Sequence, residues 1–184
     1  MNIIRTQSGR GRQAGFTLLE VLIVVAIIGI ASAIAIPNII GWLPNYRLKG
    51  AARDLYSNMQ KIRTEAVKRN TNIGITFTTV VYPATGGGYM VFIDDGKGGG
   101  TSGDGVKHAD ETMLFQVEMP PGCSLVRASF QSTDTSGYNS RGLPLGGRVG
   151  SVDLRNNKSR WYQINLSNAG YPKLKQSSNG SVWE

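Results

Sequence analysis

Residues 15–43 read GFTLLEVLIVVAIIGIASAIAIPNIIGWL, and this stretch decides the architecture of the chain. It holds a single charged side chain, Glu20, and residues 21–36 carry no charge at all. A helix over residues 16–43 would be about 42 Å long at about 1.5 Å per residue, against roughly 30 Å for the hydrocarbon core of a bilayer. The pattern therefore predicts an apolar helix long enough to cross a membrane.

Residues 1–15, which precede this stretch, are polar and basic, and such an arrangement has three interpretations. The first is a secretory signal peptide cleaved after Ala33, where small residues fit the usual cleavage site. Two observations count against it, because apolar sequence resumes at once with Ile34 and because the carboxylate of Glu20 lies inside the apolar region. The second interpretation is an uncleaved signal anchor.

The third interpretation rests on Gly15, Phe16 and Glu20, which stand at fixed spacing ahead of an uninterrupted apolar run. This arrangement resembles the N-terminal signature of the type IV pilin family. The resemblance implies that a prepilin peptidase cuts between Gly15 and Phe16 and N-methylates Phe16. Residues 1–15 would be a leader peptide, and residues 16–43 would remain on the mature protein as its transmembrane and assembly helix.

Glu20 and Pro37 are the candidate assembly residues within this helix. An ionised carboxylate in a membrane helix costs at least a few kcal/mol and usually has a partner. The resemblance supplies one, the free amine of Phe16 on a neighbouring subunit, and this pair would fix the axial register. The alternative is that Glu20 simply lies at the level of the lipid headgroups. Pro37 removes one backbone hydrogen bond and predicts a kink. The resemblance implies that the helix over residues 37–44, which holds two prolines and Gly41, unwinds in a filament.

Residues 44–70 predict a second, amphipathic helical segment that ends near Asn70. Apolar residues recur at steps of three and four, which is the period of one helix face. These residues are Leu48, Ala51, Ala52, Leu55, Met59, Ile62 and Ala66. The basic residues of the segment, Arg63 among them, occupy mostly other angles and are interpreted as a solvated face, with contact to lipid headgroups as the alternative. The apolar face should pack on a β domain.

Residues 71–184 change to alternating apolar and polar positions separated by glycine-rich turns, which is typical of β structure. Strands are predicted near residues 73–81, 89–93, 113–117, 123–130, 149–154, 161–166 and 171–174. The predicted fold class is therefore α+β and pilin-like, with a long N-terminal helix packed on a C-terminal antiparallel β domain. The first half of the helix spans the membrane and the second half is amphipathic.

The layout as a whole resembles the GspH/FimT branch of minor pilins and pseudopilins. The matching residues are 51–55, 62–66, 92–95, Phe130, 140–144 and 164–170. The resemblance implies a structural subunit of a type II secretion pseudopilus or a type IV pilus. Its partners would be the prepilin peptidase and methyltransferase, other pilin or pseudopilin subunits and the bacterial inner membrane, with the C-terminal domain in the periplasm.

Basic residues suggest a different function class. The formal charge is +8, and loss of the three arginines of the leader would leave +5. Residues 141–184 hold seven basic and two acidic residues, interleaved with aromatic residues. Cations bind a nucleic-acid backbone and aromatic rings stack on bases, so we select Arg148, Arg155, Arg160 and Lys173 as possible nucleic-acid contacts. A solvated basic face would have the same composition.

The alternative function is a DNA-binding tip minor pilin used in DNA uptake. Some members of the resembled branch bind DNA through a Gly-Arg-x-Arg motif. Here Gly147, Arg148 and Val149 are followed by Gly150, so that a glycine replaces the second arginine.

The sequence offers little for catalysis or metal binding, and we expect no enzyme activity, no cofactor and no metal. His108 is the sole histidine, has no suitably spaced nucleophile and should be solvent-exposed. Cys123 is the sole cysteine and should be a small buried residue. Acidic residues cluster around the glycine-rich segment 94–110, but without EF-hand spacing, which favours a flexible polar loop over a calcium site.

Overall fold

The computed structural model describes residues 15–184, and residues 1–14 of the predicted leader lie outside the described part. Within residues 15–184 there are one α-helix, eight β-strands and two short 3₁₀ turns. The elements are α1 (Leu18–Arg69), β1 (Ile73–Thr78), β2 (Gly88–Ile93), β3 (Met113–Glu118), β4 (Cys123–Phe130), β5 (Thr135–Tyr138), β6 (Gly150–Asn156), β7 (Trp161–Leu166) and β8 (Pro172–Ser177), with 3₁₀ turns at Lys97–Gly99 and Leu145–Gly147. This is the predicted α+β class, a long helix followed by antiparallel sheets.

Helix α1 covers both helical segments predicted from the sequence, and Pro37 and Pro44 lie within it. Its C-terminal half buries the predicted stripe, with Leu48, Ala52, Leu55, Met59, Ile62 and Ala66 withdrawn from solvent. The helix ends at Arg69 because Asn70 takes a left-handed conformation, with φ of 49°. The amide of Thr71 then donates to the carbonyl of Ala66, and that of Asn70 donates to Val67, which is a Schellman cap at the predicted position.

The first sheet has the strand order β3-β2-β1-β5, and all its pairings are antiparallel. Ile73, Ile75 and Phe77 alternate along β1 on the buried face, as the sequence predicts. Strand β5 was not predicted. It joins the sheet by pairing Tyr138 with Ile73 and Thr135 with Thr76.

The second sheet has the order β4-β6-β7-β8 and is also antiparallel throughout. Its buried face carries Leu125 from β4, Leu154 from β6 and Ile164 from β7. Beyond β8, the backbones of Gln176 and Glu184 exchange two hydrogen bonds of 2.9 and 3.0 Å. That exchange protects part of what would otherwise be an open sheet edge.

A single hydrophobic cluster joins the helix stripe to the buried faces of both sheets. The rings of Phe77 and Phe130 stack at 5.4 Å across the two sheets, with 15° between their planes. Cys123 lies in this cluster with no exposed surface, which confirms its predicted burial. All members of the cluster fall within the compact unit Trp42–Glu184, which therefore contains its complete core.

Candidate assembly site

The start of α1 has a defined cap that separates the predicted cleavage site from the helix. Thr17 Oγ1 accepts a hydrogen bond of 3.2 Å from the amide of Glu20, and its carbonyl accepts one from Val21. Residues 17–20 thus have the order of a capping box, in which a threonine precedes a glutamate by three positions. Gly15 and Phe16 lie exposed ahead of the first helical residue, so the bond between them is in non-helical chain.

The segment that follows presents apolar side chains on all sides. At least half of each large side chain is exposed at Leu18, Leu19, Leu22, Val25, Ile27, Ile28, Ile30, Ile34, Ile36, Ile39 and Ile40. Among residues 15–184, α1 is the one helix long and apolar enough to span a bilayer, judged by length and composition. Apolar surface costs roughly 25 cal/mol per Å² in water, so a continuous surface of this kind requires lipid or protein around it.

Glu20 is the one charged side chain in this apolar segment and it is exposed. It has no ion pair with any other residue in the range 15–184. The predicted partner, the amine of Phe16, would exist only after cleavage and would belong to another subunit. The pairing therefore remains a prediction, as does the unwinding of the helix near Pro37.

Three of the segments that carry the family resemblance meet at Arg63. Its Nε donates a 2.8 Å hydrogen bond to the carbonyl of Gly142, and its guanidinium lies 4.1 Å from the ring centroid of Tyr171. Gly142 and Gly170 both have positive φ, and a Cβ at Gly170 would collide with the Gly142 carbonyl. The sequence prediction placed Arg63 on a solvated face. The structure corrects this, because Arg63 holds two loops against the end of the helix.

The possible nucleic-acid contact Arg155 is largely engaged inside the protein. Its guanidinium carbon lies 3.6 Å from the ring centroid of Tyr82 and 4.9 Å from that of Trp161. Its Nε is buried and has no hydrogen-bond partner among the described residues. These two cation–π contacts leave little of the cation for a ligand.

Arg148 is also packed within the β domain. Its Nη1 lies 3.5 Å from Thr135 Oγ1 and against the backbone of Gly105, where a Cβ would collide with it. It thus joins the turn before β6 to the glycine-rich loop and to β5.

Arg160 and Lys173 are the exposed members of the predicted set. Arg160 donates its backbone amide to Asn156 Oδ1 at 3.0 Å, and Lys173 stands opposite Asn165 in the β7–β8 register. The four selected residues therefore have different surroundings and different contacts. Neither these contacts nor the comparisons below support the nucleic-acid interpretation.

The carboxylates of the glycine-rich loop bond to the loop's own backbone. Asp94 accepts the amides of Gly103 and Gly105 at 2.6 and 2.8 Å, and Glu111 accepts those of Gly96 and His108 at 3.0 and 2.9 Å. Burial raises the pKa of Asp94, and the two amide hydrogen bonds oppose that rise. Among residues 15–184 no group of three or more acidic, histidine or cysteine side chains is arranged to hold a metal.

His108 was expected to be solvent-exposed, and the structure places it differently. Its ring is partly buried against Gly100, and Nε2 lies 3.1 Å from Asp104 Oδ2. The histidine therefore helps to order the loop.

Comparison with known protein families identifies the family of this chain. Residues 51–170 match the family described as type II transport protein GspH, and residues 10–36 match the prokaryotic N-terminal methylation motif. The first match covers well over half of the sequence. The chain belongs to the GspH family, and its relatives are pilin-like proteins.

Two relatives share the sequence over part of its length. The pilin-like protein PilA1 of Thermus thermophilus is 37% identical over 81 residues, which are 44% of this chain and 47% of that protein. A fimbrial protein of Pseudomonas aeruginosa is 34% identical over 97 residues, or 47% of this chain and 63% of that protein. The matches thus span less than two thirds of the length of either relative.

Solved structures with a similar chain course include the type IV minor pilin FimU of Pseudomonas aeruginosa. It has a TM-score of 0.49 and 17% identity, covering 76% of this chain and 94% of that one. The minor pseudopilin EpsH of the Vibrio cholerae type 2 secretion system has a TM-score of 0.46 and 11% identity, covering 70% and 95%.

Proposed function

We propose that this chain is a minor pilin or pseudopilin, a structural subunit that joins a type II secretion pseudopilus or a type IV pilus through its N-terminal helix. The observation that carries the proposal is the exposed apolar segment of α1, which is joined to a GspH-family domain with its own complete core. Before assembly, the helix would hold the chain in the inner membrane as a single span, with the β domain in the periplasm.

Processing would precede assembly. A prepilin peptidase would cleave between Gly15 and Phe16 and methylate the new amine, as supported by the match of residues 10–36 to the methylation motif. Thr17 caps the helix beyond that bond, so the protease would meet exposed, non-helical chain. Cleavage there would retain the whole apolar helix on the mature protein.

Assembly would exchange one apolar environment for another. The side chains that face lipid before assembly would face neighbouring helices in the filament, so the apolar surface stays out of water in both states. Glu20 would set the register by pairing with the Phe16 amine of a neighbour. A misaligned subunit would leave a carboxylate unpaired among apolar side chains, at a cost of about 3 kcal/mol.

The proposal is tested by the mass of the mature chain. The full sequence is produced in bacteria together with a prepilin peptidase, extracted from membranes and measured by intact mass spectrometry. We expect a chain that begins at Phe16 and carries one added methyl group. Gly15→Asp should abolish cleavage, whereas Gly29→Ala, which places a Cβ in open space within the helix, should be processed normally. A mature chain that begins at Ile34, or one that keeps Met1, would refute the proposal.

A further inference from the structure

A groove of about 380 Å³ lies within the unit Trp42–Glu184, between α1 and the β7–β8 edge of the second sheet. Trp42, Tyr46 and Lys49 form its helix wall. Arg53 and Lys175 line an adjoining groove, which shares Lys49 and Tyr162 with the first. The two grooves form one continuous surface, here called the basal groove.

Along the helix wall of the basal groove, aromatic side chains are followed by basic ones. Trp42, Tyr46, Lys49 and Arg53 follow one another at steps of four, three and four residues, so they lie on one face of α1. The two aromatic residues come first, at and just beyond the C-terminal end of the apolar stretch 16–43, and the two cations follow. Trp42 and Tyr46 are 50% and 64% exposed, and their rings meet edge to face at 5.3 Å.

The strand wall repeats this combination. Arg160, Trp161 and Tyr162 line the groove at the start of β7, and Lys175 faces it from β8. The basal groove thus presents four cations, Lys49, Arg53, Arg160 and Lys175, and none of them forms an ion pair with a residue in the range 15–184. Glu184 supplies one carboxylate at its edge.

We propose that the basal groove binds the headgroups of anionic phospholipids. This inference rests on the proposed function, because it takes the apolar segment of α1 to be in a membrane. The sequence of apolar residues, aromatic residues and then cations along one helix matches the order of hydrocarbon, interface and headgroup phosphate in a bilayer. A membrane is also the anionic surface that this anchor would bring to the groove, which favours lipid over nucleic acid.

The lipid contact would have a consequence for the subunit before assembly. Each lysine or arginine near an anionic surface strengthens attraction by roughly fivefold, so several cations together would hold the β domain against the membrane. The aromatic rings would lie at the interface, where amphipathic rings are most stable.

The test uses the full chain in nanodiscs, with Trp42→Phe and Trp183→Phe so that Trp161 is the remaining tryptophan. The discs contain phosphatidylcholine labelled with a nitroxide on its headgroup, with or without phosphatidylglycerol. We expect quenching of Trp161 fluorescence to be stronger in discs with phosphatidylglycerol. The double variant Lys49→Glu/Lys175→Glu should reduce that quenching at least about threefold, because two attractive charges become repulsive.

A matched control reverses the charge of one basic residue on the helix and of one in the β domain, both outside the groove. Lys68 and Arg141 are both exposed, and neither lines the basal groove. Lys68→Glu/Arg141→Glu should therefore leave the quenching unchanged. Equal quenching with and without phosphatidylglycerol, or equal losses in the two double variants, would overturn the proposal.

Two further measurements distinguish lipid from other anionic ligands. They also distinguish a failure of the lipid inference from a failure of the proposed membrane anchor. A short DNA duplex and inorganic phosphate are added to the chain in a neutral detergent. If duplex DNA changes Trp161 emission through Lys49 and Lys175 while phosphatidylglycerol has no effect, the groove is a nucleic-acid site and the lipid proposal is wrong. Retention of the chain in nanodiscs without headgroup quenching would overturn this inference alone, whereas a chain that does not stay in the discs would contradict the proposed membrane anchor.

Discussion

The guanidinium carbon of Arg63 lies 4.1 Å from the centroid of the Tyr171 ring, while its Nε donates a hydrogen bond to the Gly142 carbonyl. One helix side chain thus fixes two loops that are far apart in the sequence. A charge-assisted hydrogen bond and a cation–π contact both depend on the same cation.

Arg63→Met keeps the length and much of the apolar stem of the side chain but removes both interactions. We expect the free energy of unfolding to fall by about 2 kcal/mol, since a hydrogen bond to a charged group contributes roughly 1.5–3 kcal/mol. Urea unfolding of the full chain in mild detergent, followed by tryptophan fluorescence, measures the change. Lys68→Met, on the exposed side of the same helix, should change stability by less than about 0.5 kcal/mol. Equal losses of stability in the two variants would show that the contacts of Arg63 do not stabilise the fold.

Gly170→Ala tests the close approach of the two loops. Gly170 and Gly122 share the left-handed conformation, with φ of +77° and +81°, but only Gly170 has a carbonyl in the path of a Cβ. Gly122→Ala should cost about 1 kcal/mol, which is the backbone penalty alone. Gly170→Ala should cost roughly 2 kcal/mol more, because Gly142 must also move. Similar melting temperatures for the two variants would contradict the close approach of Gly170 to the Gly142 carbonyl.

The burial of Cys123 predicts that the free energy of unfolding falls at alkaline pH. Burial raises the pKa of its thiol from 9.0 to about 11, so the folded state binds the proton more tightly than the unfolded state. This contribution to stability is complete below pH 9 and is lost as the pH rises towards and past 11, by about 3 kcal/mol for two pKa units. Stability measured against pH should therefore fall less steeply in Cys123→Ala than in the parent chain. Parallel slopes would mean that the thiol does not contribute.

The same burial predicts that Cys123 resists alkylation in the folded protein. Iodoacetamide reacts with thiolate, whose population the raised pKa lowers, and the absence of exposed surface keeps the reagent from the sulfur. At pH 8 we expect labelling to be at least about a hundredfold slower than in urea, measured by intact mass. Comparable rates in the two conditions would be inconsistent with a buried thiol.

Glu20→Leu separates anchoring from assembly. A leucine should insert into the membrane as well as the parent sequence or better, since about 3 kcal/mol of carboxylate burial is removed. Incorporation into filaments should nevertheless fall sharply if the Phe16 amine needs its partner. Membrane fractionation and cross-linking to other pilin subunits measure the two steps, with Ser32→Ala as the control polar substitution. Normal incorporation of the leucine variant would rule out the register role.

Much of the fold was accessible from the sequence because its elements follow strong periodicities. The helix stripe recurs at steps of three and four residues, and seven of the strands are alternating or continuous apolar runs bounded by turns. Strand β5 was missed because Thr135, Ser136 and Gly137 have no apolar alternation, and Gly137 disfavours an isolated strand. Its conformation depends on pairing with β1, which is a tertiary relationship.

The roles of two arginines could not be predicted for a similar reason. From the sequence, Arg155 is one of several basic residues expected on the surface. In the structure, the β1–β2 loop brings the ring of Tyr82 against it. Arg63 lies at the margin of the buried helix stripe, four residues after Met59, and only the converging loops give it partners. Periodicity predicts which face of an element is buried, but it does not show which loop will cover the rest. The glycines at 142 and 170 were the available signal, since their conformations permit that close approach.

The buried stripe of α1 has a mechanical consequence. The same continuous helix carries the apolar segment at one end and forms one wall of the domain core at the other. A pull on that helix would therefore load its many packed core side chains together, instead of peeling away a single strand. A subunit built in this way would transmit a pull to its entire folded head before any part of it came loose.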